Sequence, residues 1–295
     1  MCADKIVKYV FFFLIMCAGL IINVPSARGC TVWAATGQKV NIKGTIIAKN
    51  RDNSPNLFTS PKLLFPKNGF KVFGLYDTEA DGYIVGGINE KGLAVLNASA
   101  ASVPREKRHV ATEDTAERIL TTFNSVDAVV SHRDIFIKSH PALYMIADSS
   151  RIAMVEVAPG GKIAIKMTDN GTLAFTNHYT DANLTWANEH KRVNSEARLK
   201  RIQNYLTSSE KPFTMNDFIH ISEDRAGGSD YALWRTGSTS GKVRTLASFI
   251  VSIPVSGLPE IYMKISNPDE SDRIFTEKLD FSLFSVSDQS EKMVR

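Results

Sequence analysis

Cys30 is the residue whose setting points most directly to chemistry, because the residues before it are typical of a secretory signal peptide. Two lysines near the start precede an uncharged, mostly apolar run at residues 9–24. That run is shorter than the ~20 residues that a membrane-spanning helix needs. The small residues Ala27 and Gly29 occupy the two positions that a signal peptidase reads. Cleavage after Gly29 would therefore make Cys30 the first residue of the mature chain.

A cysteine at the start of a chain has a base that no internal cysteine has. Its α-amine, with an ordinary pKa of about 7.7 to 8.0, can take the thiol proton near neutral pH, so nucleophile and base belong to one residue. Such a residue still needs an anchor for the amine, donors for a developing oxyanion and positive charge that favours the thiolate. The sequence therefore predicts nucleophilic catalysis at Cys30.

The other cysteines support this interpretation. Cys2 and Cys17 would leave with the signal, so the mature chain would keep Cys30 alone and could not form an internal disulfide. A lone thiol in an oxidising compartment needs a reason. The alternative is a buried cysteine kept for packing, which is common for this residue type but rare at a chain terminus.

Residues 1–29 have two other interpretations, a transmembrane anchor and a lipoprotein signal. Lipidation also leads to cleavage before a cysteine, but Arg28 and Ala27 fit that signal poorly. We expect residues 1–29 to be a cleaved signal peptide and residues 30–295 to form a single domain, because no linker or repeat divides them. The mature protein is then exported, periplasmic or secreted, without stable membrane association.

The charge balance limits the classes of partner. The whole chain has a formal net charge of +4, and loss of the signal removes three basic residues and one acidic residue, which leaves +2. This balance does not demand nucleic acid or an anionic membrane surface. The sequence has no glycine-rich phosphate loop and no cluster with metal-ligand spacing, so no cofactor and no metal are predicted. A homo-oligomer stays open.

Strand patterns dominate the first part of the chain. They lie at residues 31–35, 45–48, 70–75, 83–88 and 93–96. Turn residues at 89–92 join the last two runs, which predicts an antiparallel hairpin that ends at Asn97. Further strands are predicted at residues 143–147, 152–157, 162–167, 172–176, 245–253 and 260–265.

Helical spacing alternates with these strands in blocks. Asp114 and Glu117 are a capping pair for one helix, and others are predicted at residues 126–135, 187–206 and 215–221. Blocks of strands around blocks of helices favour an α+β fold, with two antiparallel sheets covered by helices, over alternating parallel βαβ units.

A series of short motifs accompanies Cys30 along nearly the whole mature chain. They are Cys30-Thr31, Lys49-Asn50-Arg51-Asp52, Asn89-Glu90-Lys91-Gly92-Leu93, Leu96-Asn97, Thr176-Asn177-His178-Tyr179, the helix at 195–199 with Arg198, and Tyr231-Ala232-Leu233-Trp234-Arg235. In order and spacing the set resembles the N-terminal-nucleophile (Ntn) linear amide hydrolases: choloylglycine hydrolases, penicillin V acylases and the acyl-CoA:6-aminopenicillanate acyltransferase group. The resemblance implies a four-layer αββα sandwich.

The resemblance also implies roles for single residues. Cys30 would be the nucleophile and, through its α-amine, the general base. Asp52 would bind and orient that amine, although a loop carboxylate in a turn is the alternative. Asn97 and Asn177 would lie near the scissile carbonyl and donate to the oxyanion, although either could be only a turn former. Arg235 would favour the thiolate and steady Asp52, and a solvated surface arginine is the alternative.

The chain departs from the family at Lys49, where the family usually has arginine. Lysine keeps the charge but loses the planar fork of donors, and we expect Lys49 to contact substrate. Arg51 would return to the face of Lys49 only if the strand continues that far.

The implied activity is hydrolysis of a carbon–nitrogen bond in a linear amide other than a peptide bond. Attack by Cys30 on a small-molecule N-acyl amide would form a thioester, which water then cleaves. One alternative is acyl transfer to a second amine. The other is a non-catalytic exported binding protein or lipoprotein.

Overall fold

The computed structural model describes residues 29–78, 82–108, 113–190 and 192–285. The predicted signal peptide therefore lies outside the described residues, apart from Gly29. Within these ranges no helix is long and apolar enough to span a membrane.

Two antiparallel sheets contain the strands of the described residues. The strands are β1 (Gly29–Thr36), β2 (Gly44–Asn53), β3 (Thr59–Leu64), β4 (Val72–Asp77), β5 (Ile84–Asn89), β6 (Ala94–Ser99), β7 (Ala142–Ala147), β8 (Ile152–Ala158), β9 (Lys162–Thr168), β10 (Gly171–Phe175), β11 (Arg244–Pro254), β12 (Glu260–Ile265) and β13 (Arg273–Lys278). The first sheet has the order β10-β1-β2-β11-β12-β13, and the second runs from β3 to β9 in chain order. β1 is therefore paired on both sides.

The helices are α1 (Thr115–Thr122), α2 (Val126–Ser131), α3 (Val193–Ser208) and α4 (Met215–Ser222). The Asp114 carboxylate accepts from the backbone nitrogens of Ala116 at 3.0 Å and Glu117 at 3.2 Å, which caps α1. Thr214 and Asp217 form a reciprocal capping box at α4. Both helices begin where these side chains satisfy N–H groups that a helix leaves unpaired.

Three apolar clusters define four layers. One lies between the two sheets and includes Val32 of β1 and Leu143 of β7. The second lies between the second sheet and α1, with Ile119 among its residues. The third lies between the first sheet and the helices α3 and α4, where the ring centroids of Trp33 and Phe218 are 5.9 Å apart. The predicted α+β sandwich of two antiparallel sheets covered by helices is confirmed.

Two helices differ from the sequence-based prediction. The helix predicted at residues 187–206 begins only at Val193. Its predicted first turn is a loop instead, because the side chain of Asn188 bonds the backbone nitrogen and oxygen of Tyr179, at 3.0 and 2.8 Å. The helix predicted to follow α1 ends early, at Ser131, and a short 3-10 turn follows it.

The strands β3 and β13 were not predicted, and both are edge strands. β3 contains Pro61, which has no N–H for a ladder and is tolerated at an edge. β13 is mostly exposed and has no buried residue, so its sequence lacks the alternation of apolar and polar residues that predicts a strand. The other predicted strands are confirmed to within a few residues, except that β2 extends to Asn53 and β6 to Ser99.

Candidate active site

The pairing of β1 with β2 decides which side chains surround Cys30. In this ladder Cys30 lies opposite Arg51, and Val32 lies opposite Lys49. Opposite residues point to the same face of a sheet, and both Cys30 and Val32 belong to the cluster between the sheets. Lys49 and Arg51 therefore share the inter-sheet face with the thiol. Asp52 points the other way, toward α3.

The backbone of Cys30 is held on both sides. Its nitrogen donates to Oδ1 of Asn177 at 2.8 Å, and its carbonyl oxygen accepts from Nη1 of Arg198 at 2.6 Å. Arg198 also donates to Oγ1 of Thr31 at 2.7 Å and to Oδ1 of Asn177 at 3.0 Å. Because all these groups are buried, the position of Cys30 is set by the fold.

Asn177 connects Cys30 to β6 and α3. Its Nδ2 donates to the carbonyl oxygen of Ser99 at 3.0 Å, and its backbone nitrogen donates to Oγ of Ser195 at 2.9 Å. In the full-length chain the side-chain oxygen of Asn177 thus contacts the nitrogen that would become the α-amine. An oxyanion role would use the second hydrogen of Nδ2, and it stays a prediction.

Asp52 is fully buried between two arginines. Its Oδ2 lies 3.5 Å from Nη1 of Arg235 and 3.7 Å from Nη1 of Arg198, and its Oδ1 accepts from Oγ1 of Thr245 at 2.8 Å. Burial raises the pKa of Asp52 against the pull of both guanidiniums. Burial also lowers the pKa of Arg198, to about 10.

Gly29 lies against this carboxylate group. A Cβ added to Gly29 would be 2.8 Å from Nη1 of Arg235 and 3.6 Å from Oδ2 of Asp52. Oδ2 has no hydrogen-bond partner in the described part of the chain. Asp52 therefore lies beside the residue whose removal would free the α-amine of Cys30, and its anchoring role stays a prediction.

Arg235 lies in a loop that is tied to the start of β11. Its backbone nitrogen donates to Oγ1 of Thr245 at 2.8 Å, and its carbonyl oxygen accepts from the nitrogen of Thr245 at 2.9 Å. Arg235 is 4% exposed, so it is not a solvated surface arginine. Its neighbour is Asp52, and its predicted effect on the thiol stays untested.

Lys49 bridges the two sheets and holds Asn97. Its Nζ donates to the carbonyl oxygen of Val85 and to Oδ1 of Asn97 at 3.0 Å, while Nδ2 of Asn97 donates to the carbonyl oxygen of Ile84 at 3.2 Å. The ladder between β5 and β6 stops at Gly86, so Ile84 and Val85 have no partner residue on β6 and their carbonyls accept from these side chains instead. Burial lowers the pKa of Lys49 to about 8, although the Cys30 thiolate pulls it upward.

Arg51 belongs to this inter-sheet group. Because β2 continues to Asn53, the side chain of Arg51 lies on the same face of the strand as Lys49. Its Nη2 donates to Oδ2 of Asp77, and its Nη1 donates to the carbonyl oxygen of Asp52 at 3.1 Å. The side chains of Arg51 and Asp77 are buried.

Sequence reasoning gave no site role to Arg198 or Asp77. A signal existed for Arg198, which lies four residues before Ile202 on the apolar stripe of α3, where an arginine is rarely buried without a partner. A signal existed for Asp77 too, as the only charge in the apolar run of β4. Their partners are distant in sequence, so neither signal identified the contact.

No group of His, Cys, Asp and Glu side chains among the described residues could hold a metal ion. Cys30 is the one cysteine within those ranges, and it is free. The buried cluster therefore offers a thiol, two amides, one lysine, three arginines and two carboxylates. This set suits nucleophilic attack with electrostatic support.

Comparison with known proteins places the chain among enzymes with this architecture. The family model described as acyl-coenzyme A:6-aminopenicillanic acid acyl-transferase matches residues 40–259, a range that begins after Cys30. No curated protein matches the chain significantly.

Three solved structures match most of the chain. A mutant of the conjugated bile acid hydrolase from Clostridium perfringens matches with a TM-score of 0.53 and 14% identity over 85% of this chain and 92% of that one. A second variant of that enzyme gives 0.51 and 14% over 85% and 97%. Penicillin V acylase from Agrobacterium tumefaciens gives 0.49 and 15% over 85% and 86%. The likeness to the bile acid hydrolase shows the fold, which is that of the Ntn hydrolases.

Proposed function

We propose that this chain, which belongs to the acyl-coenzyme A:6-aminopenicillanic acid acyl-transferase family, is an exported amidase that cleaves N-acyl compounds through a thioester on Cys30. One observation carries the proposal. The nitrogen and the carbonyl of Cys30 are both held by buried side chains, while its thiol side faces two buried cations. This is the setting that a nucleophile at the start of a mature chain requires.

The α-amine acts as the base in the first step. It takes the thiol proton, the Cys30 sulfur bonds to the amide carbon, and the carbonyl electrons move to oxygen. Collapse of this intermediate breaks the carbon–nitrogen bond, and the leaving amine takes the proton from the α-ammonium. Water activated by the same amine then cleaves the thioester and releases the acid.

Two amides are the proposed donors to the oxyanion. Asn97 has one hydrogen of Nδ2 on the carbonyl of Ile84, and Asn177 has one on the carbonyl of Ser99. Each therefore keeps one hydrogen for a developing negative charge. The bonds from Lys49 and Arg198 to their side-chain oxygens set which way each amide faces. Lys49 is 1% exposed, so we propose that it acts on substrate through Asn97.

The matching family supports acyl transfer as a second candidate function. Transfer differs from hydrolysis only in the last step, in which an amine takes the place of water at the thioester. Incubation of the enzyme with an acyl amide and an added amine separates the two, because hydrolysis yields the free acid and transfer yields the new amide. If the enzyme is a hydrolase, the free acid should remain the main product as the amine concentration is raised.

The proposal is tested by the mass and the first residue of the exported protein. Expression of the full chain should yield a protein in the exported fraction that begins with unmodified Cys30. A thioester or an anilide of a carboxylic acid should then add one acyl group to each molecule of this protein. A protein that begins elsewhere, or that carries lipid on Cys30, would lack the base and would contradict the amidase proposal. Lipid on Cys30 would favour the alternative of an exported binding protein or lipoprotein.

The lysine at position 49 should limit activity at high pH. Burial lowers the pKa of Lys49 to about 8, so its positive charge is present below that pH and lost above it. We expect kcat/KM to fall as the pH rises through about 8, and Lys49→Arg to move this fall upward, because a guanidinium keeps its charge.

The measurement is the pH profile of kcat/KM for the native protein and the variant. Lys166→Arg, an exposed change on β9, is the matched control and should leave the profile in place. The same alkaline fall in Lys49→Arg and the native protein would show that Lys49 does not cause it.

A further inference from the structure

An ion pair crosses the gap between the two sheets beside Cys30. Arg51 comes from β2 of the first sheet and Asp77 from β4 of the second, and their side chains are 3% and 0% exposed. Burial of two charges costs several kcal/mol per ion, and the attraction between them offsets this cost only if the remaining polar atoms are also hydrogen-bonded. Nε of Arg51 and Oδ1 of Asp77 have no hydrogen-bond partner in the described ranges. A pair this buried and incompletely bonded is poorly explained by stability alone.

The pair lies on the same face as the thiol. Cys30 and Arg51 are directly opposite in the β1–β2 ladder, where Cα atoms of opposite residues are about 4.5 to 5.5 Å apart and their side chains point the same way. Burial opposes the charge of Arg51, but Cys30, Tyr83 and Asp77 hold its pKa above the ordinary value. Among these neighbours the Cys30 thiolate acts most strongly.

The other two buried arginines belong to the opposite face. Arg198 and Arg235 are the ion-pair partners of Asp52, and Asp52 is the largest charge that acts on Arg198, ahead of Cys30. Their positive charge is therefore balanced first by Asp52. This leaves Arg51 and Lys49 as the cations on the thiol's own side, and Lys49 loses its proton near pH 8.

We infer that Arg51, clamped by Asp77, is the positioning residue whose guanidinium stabilises the negative charge on the Cys30 sulfur once the α-amine has taken the thiol proton. The inference rests on the proposed role of Cys30 as nucleophile. Arg51 supplies a charge that does not titrate, and Asp77 fixes where that charge lies. The clamp also limits the effect, because its own negative charge opposes the thiolate.

Charged and titratable groups act on this centre from both faces of the first sheet. On the thiol's side they are Lys49 and Arg51 on β2, Asp77 on β4, Tyr83 before β5 and the α-amine of Cys30 itself. Asp52 on β2 and Arg198 on α3 act from the opposite face. Lys49 contributes positive charge only below about pH 8.

The test separates an electrostatic role from a purely structural clamp. Arg51→Met removes the positive charge, and Asp77→Asn removes the negative charge, while both break the ion pair. If Arg51 stabilises the thiolate, the pH midpoint of thiolate formation should rise by about one to three units in Arg51→Met, the size expected for a charge within ~4–6 Å. In Asp77→Asn it should stay or fall. A clamp without electrostatic effect would shift both variants in the same direction.

The readout is the ultraviolet absorption of the thiolate in the processed protein, whose only thiol is Cys30. Each variant is compared with the same variant carrying Cys30→Ser, which removes the contribution of the tyrosines. Arg51→Met alone would bury an unpaired Asp77 and could fail to fold. The double variant Arg51→Met/Asp77→Asn replaces the whole pair by neutral groups, and its midpoint should lie above that of Asp77→Asn, because these two variants differ only in the charge at position 51.

A midpoint in the double variant that equals the midpoint of Asp77→Asn would overturn the inference, as would a common direction for the two single variants. The absorption reports on the sulfur whether or not an amide is cleaved. Failure of the amidase proposal would appear instead as a blocked or different first residue. The two failures are therefore distinguishable.

Discussion

Cys30→Ala is expected to lower kcat/KM for acyl amides by at least about 10⁴-fold, since it removes the only nucleophile that the mechanism contains. The thioester cannot form, so no acylated protein should be found by mass. The α-amine, Asn97, Asn177 and the cations stay in place. Any remaining rate therefore measures what binding and oxyanion contacts achieve without covalent catalysis. The measurement is steady-state hydrolysis of an acyl anilide together with intact mass after a short incubation.

Val32→Ala is the matched control for Cys30→Ala. Val32 lies two residues further along β1, faces the same inter-sheet cluster and is fully buried. Its truncation should cost about 1 to 3 kcal/mol of unfolding free energy through lost packing but leave kcat within about tenfold of the native value. Equal losses of activity in the two variants would show that the β1 change acts through folding, and that Cys30 is not the nucleophile.

Asp52→Asn is expected to destabilise the protein by about 3 to 5 kcal/mol, because it leaves two buried guanidiniums without their counter-charge. In the described part of the chain Asp52 is the acidic partner of both Arg198 and Arg235. Asparagine has nearly the same shape, so the loss reports the charge and not the packing. Denaturant unfolding monitored by fluorescence gives the free energy, and kcat/KM should fall with it because the α-amine loses its anchor.

Two further variants test the reason for this loss. Asp169→Asn, at an exposed position, is the control and should change the free energy of unfolding by less than about 0.5 kcal/mol. Adding Arg235→Met to Asp52→Asn removes one of the two unpaired charges, so the double variant should recover part of the stability. If the two substitutions instead lower the free energy of unfolding additively, so that the double variant loses the sum of the two single losses, a shared electrostatic cause is contradicted.

The fold class and most of the strands were predictable from the amino-acid sequence. Strand and helix periods come from nearest neighbours along the chain, so β-type runs and the Asp114 cap were readable without tertiary contacts. Edge strands with polar faces were missed because they bury little, and the helix start at Val193 was missed because a loop contact of Asn188 overrides helical spacing. The resemblance also named most of the residues that the structure gathers around Cys30, but it gave no role to Arg198 or Asp77.

Which of these residues faces the thiol depends on strand pairing and sheet packing. A strand alternates its side chains, so the one-residue step from Arg51 to Asp52 sends one to the inter-sheet face and the other toward α3. Local sequence cannot tell which of the two faces will hold Cys30, because that depends on the register with β1 and on the second sheet that supplies Asp77 and Val85. The residue types were therefore legible in the sequence. Their division into a thiol side and an amine side comes from strand pairing and the packing of one sheet on the other.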